Sequence, residues 1–122
     1  MAKKILVVDD EPDLLELVTL RLKREGYDVL SASDGKKALE LVKQQHPDLI
    51  LLDLHLPMIS GYEVCSNVKS DEECKKIPII VFTVSQEEDF DKLRKAGMDD
   101  YIVKPFEPAD LLEKVKKYLT SS

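Results

Sequence analysis

Five short apolar runs, separated by longer segments with helical periodicity, constrain the fold of this chain more than any other feature. The runs cover residues 5–8, 29–32, 49–52, 79–82 and 101–103. The first, third and fourth runs are apolar throughout, as in parallel strands that are buried on both faces of a sheet. The second and fifth runs are more mixed in polarity, which predicts that they form the two edges of that sheet.

Each apolar run is followed by a segment in which apolar residues recur at helical spacing. The predicted helices start near Pro12, after Asp34, at Gly61, near Phe90 and after Pro108. Proline is favoured in the first turn of a helix and aspartate is favoured as its N-cap. Gly97 is placed to end the fourth helix as a C-terminal cap.

Five alternations of strand and helix predict one α/β domain over residues 1–122, with helices on both faces of a parallel sheet. At this length the common arrangement is a doubly wound, flavodoxin-like sheet of five parallel strands in the order 2-1-3-4-5. Ligands of such sheets bind at the carboxyl ends of strands 1 and 3, where the strand order reverses.

Composition disfavours several classes of partner. The chain has 122 residues and a net charge of -6, from 18 basic and 24 acidic side chains, which disfavours nucleic acid or an anionic membrane as the main partner. No apolar stretch is long enough to cross a bilayer, and the apolar run after Lys4 is too short for a signal peptide. We therefore expect a cytoplasmic location.

The two cysteines do not form a CxxC pair, and no histidine lies at metal-binding spacing from them. Cys65 lies at helical spacing among apolar residues, which predicts a half-buried packing role. Cys74 lies in the polar segment KSDEECKKIP, which predicts an exposed free thiol.

Polar residues end four of the five predicted strands. Asp9 and Asp10 follow the first, Asp53 the third, Thr83 the fourth and Lys104 the fifth. Each has an ordinary interpretation on its own, such as helix capping or a solvated charge. Because the carboxyl ends of parallel strands meet at one edge of a sheet, three carboxylates, a hydroxyl and an ammonium are expected to converge there.

The predicted cluster needs a cation. Two carboxylates about 4 Å apart repel each other by about 4 kcal/mol at an effective dielectric constant of about 20, and one ammonium cannot neutralise three of them. Mg²⁺ favours such oxygen ligands together with waters and a phosphate oxygen. A phosphoryl group beside Asp53 would meet this cation, Lys104 and Thr83. A carboxylate is a competent nucleophile for phosphoryl transfer and would form an aspartyl-phosphate.

Four motifs carry a resemblance to a known family: VVDDEPD, LLDLHLPMISGYE, the pair FT at residues 82–83, and YIVKPF. Over essentially its whole length the chain resembles the receiver domain of bacterial two-component response regulators, such as the chemotaxis response regulators. The resemblance implies phosphorylation by a sensor histidine kinase or a histidine phosphotransfer protein, and signalling to a downstream effector protein or domain. In line with the net charge, we expect no direct binding of nucleic acid by this domain and no binding to a membrane. A homodimer that forms on phosphorylation is compatible with the resemblance.

The resemblance also assigns roles at the predicted site. Asp53 matches the phosphoacceptor. Asp10 and Asp53 match the carboxylates that bind Mg²⁺, Asp9 matches a carboxylate that ligates mainly through water, and the backbone carbonyl of His55 matches a further ligand. The domain would assist its own phosphorylation and dephosphorylation, and in this sense we expect a phosphoacceptor and not an enzyme.

Other matching positions concern the response to phosphorylation. Lys104 matches the lysine that pairs with the phosphoryl group, and Thr83 and Tyr101 match the hydroxyl and the aromatic residue that rearrange on activation. Pro105 matches a proline that usually follows a cis peptide bond. Val84 departs from the usual Ala or Gly after Thr83, and we expect it to crowd the phosphoryl site.

Other functions are possible on the same fold, but the residues disfavour them. A flavodoxin-like cofactor binder would have a first loop rich in Ser, Thr and Gly. A phosphatase of the haloacid dehalogenase type requires an aspartate two positions after its nucleophile, where this chain has His55, itself a departure from the usual receiver residues. P-loop and Rossmann enzymes need glycine clusters, which are missing here. A pseudo-receiver that is not phosphorylated would normally have lost part of the acidic and lysine set.

Overall fold

The computed structural model describes residues 2–83 and 90–120, and five strands alternate with five helices along them. The strands are β1 (Lys4–Val8), β2 (Asp28–Ala32), β3 (Leu49–Asp53), β4 (Ile79–Thr83) and β5 (Asp100–Val103). The helices are α1 (Pro12–Arg24), α2 (Gly35–Gln45), α3 (Gly61–Ser70), α4 (Phe90–Ala96) and α5 (Pro108–Thr120). None of the helices in the described ranges is both long and apolar enough to span a membrane.

All five strands pair in parallel in one sheet, in the order β2-β1-β3-β4-β5. The predicted fold class and strand order are therefore confirmed. The two runs of mixed polarity form the edge strands β2 and β5, as expected. The β1–β3 junction, where the strand order reverses, lies inside the sheet.

The apolar runs are unbroken because each central strand supplies side chains to two cores. One core lies under α2, α3 and α4 and receives Leu6, Val8, Ile50, Leu52, Ile79 and Val81. The other lies under α1 and α5 and receives Ile5, Val7, Leu49, Leu51, Ile80 and Phe82. Alternate residues of a strand point to opposite faces, so a sheet covered on both faces needs apolar residues at every position.

The predicted caps of α2 and α4 are confirmed. The Asp34 side chain accepts a hydrogen bond from the Lys37 backbone N–H at 2.7 Å and so caps the start of α2. Gly97 has a φ of 109° and donates its N–H to the Leu93 carbonyl at 3.0 Å. This left-handed conformation favours glycine and ends α4.

The loop between β3 and α3 is closed by a glycine. The Gly61 N–H donates to the Leu54 carbonyl at 2.9 Å, and the Ser60 hydroxyl caps α3 by accepting the Glu63 N–H at 3.3 Å. A Cβ atom on Gly61 would lie 2.5 Å from the carbonyl oxygen of Asp53, so only glycine allows this approach. The close packing of Gly61 against Asp53 and Leu54 fixes the loop that follows Asp53.

The prediction of an exposed Cys74 is wrong, since the residue is only 1% exposed. The segment after α3 folds back through hydrogen bonds from Cys74 N–H to the Asp71 carbonyl and from Ile77 N–H to the Cys74 carbonyl, both at 3.0 Å, and Cys74 packs into the core under α2, α3 and α4. Cys65 is fully buried and not half-buried. Burial is the main cause that raises the pKa of both thiols, that of Cys65 to about 11.

Candidate functional site

The acidic pair after β1 offers one buried and one exposed carboxylate. Asp9 is fully buried, and its backbone N–H donates to the Ala32 carbonyl at 3.1 Å. Its carboxylate Oδ1 accepts the Glu11 backbone N–H at 2.9 Å, just before the start of α1. Asp10 is exposed. The chain thus turns from β1 into α1 around the Asp9 carboxylate.

Asp53 is the last residue of β3 and is only 5% exposed. Its Oδ1 atom accepts the His55 backbone N–H at 3.2 Å. Burial is the main cause that raises the pKa of Asp53 above its ordinary value of 3.8, and the charges of Asp9 and Asp10 add to it, whereas Lys104 and the His55 N–H lower it. The ionised form of this carboxylate is therefore disfavoured by its surroundings and would be stabilised by a cation.

Lys104 follows β5 and reaches into the same cluster. Its Nζ donates to Asp9 Oδ2 at 2.7 Å and lies 3.7 Å from Asp53 Oδ2 and 3.8 Å from Glu11 Oε1. Burial by itself lowers the pKa of Lys104, but the hydrogen bond to Asp9 and the charges of Asp53, Asp9 and Glu11 outweigh it, so the pKa is raised above 10.5. The ammonium therefore stays charged at neutral pH.

The predicted convergence of carboxylates is present. One oxygen atom each of Asp9, Asp10 and Asp53 lies within 4.8 Å of the others. Carboxylate oxygens are the ligands of hard divalent cations, and an ammonium that already binds Asp9 cannot neutralise all three acids. The donor set therefore fits Mg²⁺. For His55 the structure gives the N–H contact to Asp53, and the metal-binding role of its carbonyl stays a prediction.

The two residues predicted to rearrange on activation lie on β4 and β5. Thr83 is the last residue of β4 and is buried, and its carbonyl accepts the Lys104 backbone N–H at 2.6 Å. Tyr101 is half-buried on β5, with its ring centroid 4.6 Å from that of Phe90. Val84 lies outside the described residues, so crowding by its side chain stays a prediction.

The chain at and after Lys104 contains a cis proline bond and an aromatic stack next to the site. The Lys104–Pro105 peptide bond is cis, the isomer that the resemblance implies. The Phe106 ring stacks on the Phe82 ring with centroids 5.3 Å apart, and Lys104 Nζ lies 5.7 Å from the Phe82 centroid. The sequence patterns assign no individual role to Glu11, Phe82 or Phe106. Glu11 could have been found, since it directly follows the acidic pair.

The fold and the acidic cluster together define a flavodoxin-like α/β domain with a candidate cation site at the ends of β1 and β3. The family model of the response regulator receiver domain matches residues 5–116. The chain belongs to this family of two-component signalling domains.

Two transcriptional regulators are similar to this chain in sequence. The alkaline phosphatase synthesis transcriptional regulatory protein PhoP of Bacillus subtilis is 44% identical over 124 residues, which cover 100% of this chain and 50% of PhoP. This chain therefore spans about half the length of that relative. The probable transcriptional regulator ycf27 of Porphyridium aerugineum is 42% identical, with 96% of this chain and 48% of ycf27 covered.

Solved structures show the same fold. The receiver domain of the sensor histidine kinase PA1611 from Pseudomonas aeruginosa, with a magnesium ion in its active-site cleft, has a TM-score of 0.92 and 31% identity, covering 99% of this chain and 100% of that one. The chemotaxis response regulator CheY4 of Vibrio cholerae has a TM-score of 0.91 and 29% identity, covering 98% and 100%.

Proposed function

We propose that this chain is a phosphorylation-activated switch in which Asp53 accepts a phosphoryl group from the phosphohistidine of a histidine kinase or histidine phosphotransfer protein. The main support is the carboxylate cluster itself. Asp53 is buried, lies within 4.8 Å of two other acids, and has the Lys104 ammonium 3.7 Å away. Without a ligand, this buried carboxylate cluster lowers the stability of the fold. A divalent cation and a phosphoryl group that bind together would compensate its charge.

The proposed transfer uses Asp53 as the nucleophile. A carboxylate oxygen attacks phosphorus in line with the bond to the donor imidazole, a P–O bond forms as the P–N bond breaks, and the electron pair leaves with the imidazole nitrogen, which takes up a proton. The product is an acyl phosphate. Attack by water on phosphorus later releases inorganic phosphate and restores the carboxylate. The domain is thus a phosphoacceptor that resets itself.

Several side chains would act on the phosphoryl group and the cation. Asp10, Asp53 and the His55 carbonyl would hold Mg²⁺, with Asp9 ligating through water. When bound, the ion would neutralise charge on the phosphoryl oxygens. Lys104 is held by Asp9 at 2.7 Å, so its ammonium is fixed beside the acceptor before the donor arrives.

The output of the switch would come from Thr83 and Tyr101. A phosphoryl oxygen would draw the Thr83 hydroxyl toward it, and Tyr101 would turn inward, which changes the surface formed by α4, β5 and α5. Beryllofluoride, a phosphoryl mimic, should then change amide chemical shifts on all three elements. Shift changes confined to Asp53 and its neighbours would contradict a switch.

The acceptor is tested by acetyl phosphate with Mg²⁺, followed by intact-mass measurement. We expect the mass of one phosphoryl group on the wild type and none on Asp53→Asn. Asp13→Asn is the matched control, because Asp13 is an exposed acid of α1 outside the cluster. Lys104→Ala should weaken signalling and still allow some labelling. A full increment on Asp53→Asn would place the acceptor elsewhere, with Asp10 the next candidate.

The partners are part of the proposal. A histidine kinase or phosphotransfer protein would supply the phosphoryl group, and an effector protein or domain would respond to it. In this proposal the domain does not itself bind nucleic acid or a membrane. A homodimer that forms on phosphorylation is compatible with the switch. The cytoplasmic location stays a prediction.

A further inference from the structure

The Tyr101 ring on the edge strand β5 is contacted by both neighbouring helices. The Phe90 ring of α4 has its centroid 4.6 Å from that of Tyr101, with an interplanar angle of 40°. Lys114 of α5 places its Nζ 5.1 Å from the centroid of the same ring. The present orientation of this ring is therefore stabilised by an aromatic contact from one helix and a cation–π contact from the other.

The Lys114 ammonium is held in place over the ring by its own partners. It donates to Asp100 Oδ1 at 3.0 Å and to the carbonyl oxygen of Tyr101. Asp100 is in turn fixed by the Tyr101 N–H at 2.8 Å and by the Tyr118 hydroxyl at 3.1 Å. The ammonium is thus attached to the backbone that carries the ring, and its position does not depend on a flexible surface contact.

The Asp100 carboxylate keeps its charge at neutral pH. Burial by itself raises the pKa of Asp100, but the hydrogen bonds from Lys114, the Tyr101 N–H and Tyr118 outweigh it and hold the pKa below 3.8. A charged Asp100 keeps the Lys114 ammonium next to β5, where it faces the Tyr101 ring.

We propose that Lys114 is a positioning residue that holds the Tyr101 ring in its present orientation and opposes the activating rearrangement. The inference deepens the proposed function and rests on it, because it takes Tyr101 to be the residue that turns on phosphorylation. In this proposal the activating turn carries the Tyr101 ring away from the Lys114 ammonium, so that the cation–π contact seen at 5.1 Å is lost. The typical strength of such a contact at a partly exposed site corresponds to a bias of about two- to fivefold in the equilibrium between the two orientations.

The chain offers a matched control on the same helix. Lys117 also places its Nζ over a tyrosine ring, at 5.5 Å from the Tyr118 centroid. Lys117→Met therefore makes the same chemical change, with loss of the same type of contact, at a ring that is not the proposed switch. Lys114→Arg keeps the cation, and Lys114→Gln keeps a hydrogen-bond donor without the charge.

The test is NMR of the tyrosine rings in the unphosphorylated protein. In Lys114→Met we expect the nuclear Overhauser effect between Tyr101 and Phe90 to weaken. We expect the Tyr101 ring resonances to move toward their positions in the beryllofluoride-treated wild type, with about two- to fivefold more of the activated orientation. Lys114→Gln should behave like Lys114→Met, whereas Lys114→Arg and Lys117→Met should match the wild type.

Two results would overturn the proposal. One is a Tyr101 ring that behaves alike in Lys114→Met and Lys117→Met; the other is a wild-type ring in Lys114→Gln, which would assign the effect to hydrogen bonds and not to the cation. If Lys114→Met does not fold, as judged by its melting curve, Lys114→Gln carries the test. Failure of the proposed function is a separate result: a wild type without a phosphoryl increment from acetyl phosphate. The Tyr101–Phe90 measurement uses no phosphate and does not depend on that result.

Discussion

Charged residues are arranged in opposite ways at the two ends of the parallel sheet. At the carboxyl ends of the strands, Asp9, Asp10 and Asp53 form a carboxylate cluster in which the Lys104 ammonium lies near Asp9 and Asp53. At the amino ends of β4 and β5, Lys69 pairs with one carboxylate, that of Asp99, at 2.9 Å. The first cluster has an excess of negative charge, and the second is neutral.

The Lys69 cluster is also saturated with hydrogen bonds. Besides Asp99, the ammonium donates to the carbonyls of Lys75 at 3.2 Å and Ile77 at 2.7 Å, which uses its three hydrogens. Asp99 Oδ2 also accepts the Ile79 N–H at 2.8 Å. The side chain of Lys69 therefore joins α3 to the starts of β4 and β5. All three hydrogen-bond acceptors of its ammonium come from the chain itself.

The comparison separates a structural charge cluster from a functional one. A cluster that is neutral and fully hydrogen-bonded stabilises the fold and needs nothing further. Three carboxylates with one ammonium leave two negative charges uncompensated. Their repulsion lowers the stability of the folded state at this end of the sheet. The uncompensated charge is expected where a ligand completes the site, and the predictions below test that difference in order of decreasing effect.

The largest expected effect is stabilisation of the fold by Mg²⁺. A ligand that binds only the folded state adds about 2.7 kcal/mol to the free energy of unfolding at 100 times its Kd. Urea unfolding with EDTA or with Mg²⁺, at equal ionic strength set by KCl, measures this. The Lys69 cluster should contribute nothing to the response. A midpoint that is the same in EDTA and in Mg²⁺ would contradict the cation site.

The next effect is loss of stability when the neutral cluster is broken. Lys69→Met keeps the aliphatic stem and leaves Asp99 and two carbonyls without their donor, so we expect a loss of about 2 kcal/mol in the free energy of unfolding and an unchanged Mg²⁺ response. Lys75→Met is the control, since its pair with Glu72 is exposed, at 45% and 85%, and should cost less than about 0.5 kcal/mol. Equal losses in the free energy of unfolding of the two variants would contradict the structural role of Lys69.

The fold and the convergence of the three carboxylates can be predicted from the sequence because both depend on local patterns and one geometric rule. Apolar runs locate the strands, helical spacing and caps locate the helices, and parallel pairing brings the residues at the strand ends to one edge. Asp53 and Thr83 are even the last residues of their strands. No long-range contact had to be known to place them together.

Other features depend on contacts that no periodic pattern marks. Lys69 and Asp99 are 30 positions apart and look like ordinary surface charges in the sequence. The burial of Cys74 follows from a turn that folds a polar segment back onto the core. The preference of Lys104 for Asp9, at 2.7 Å, over Asp53, at 3.7 Å, is set by side-chain packing on the scale of an ångström.

A smaller effect is expected when one acid is removed from the unbalanced cluster. Asp10→Asn lowers the repulsion on Asp9 and Asp53, so it should raise the stability of the metal-free protein by no more than about 1 kcal/mol, because Asp10 is exposed. The same change should weaken the Mg²⁺ response. Asp13→Asn, outside the cluster, should do neither. A variant that is less stable without metal and responds fully to Mg²⁺ would show that Asp10 is not part of the site.

The smallest effect is a pH dependence that should differ in sign from that of an ordinary salt-bridged acid. The pKa of Asp53 is raised in the folded state, mainly by burial and against the opposing effect of Lys104. Asp53 therefore holds its proton to a higher pH in the folded state than in the unfolded state, and its contribution to the stability of the metal-free protein falls as pH rises from the ordinary pKa of 3.8 through the raised value. Asp53→Asn cannot ionise, so its advantage over the wild type should be small at acid pH, grow through this window and stay constant above it. Urea unfolding in EDTA from about pH 3.5 to about pH 7 measures the difference. A wild type that gains on Asp53→Asn as pH rises would mean that Lys104 outweighs burial, and the carboxylate would then need no cation to be stable in its ionised form.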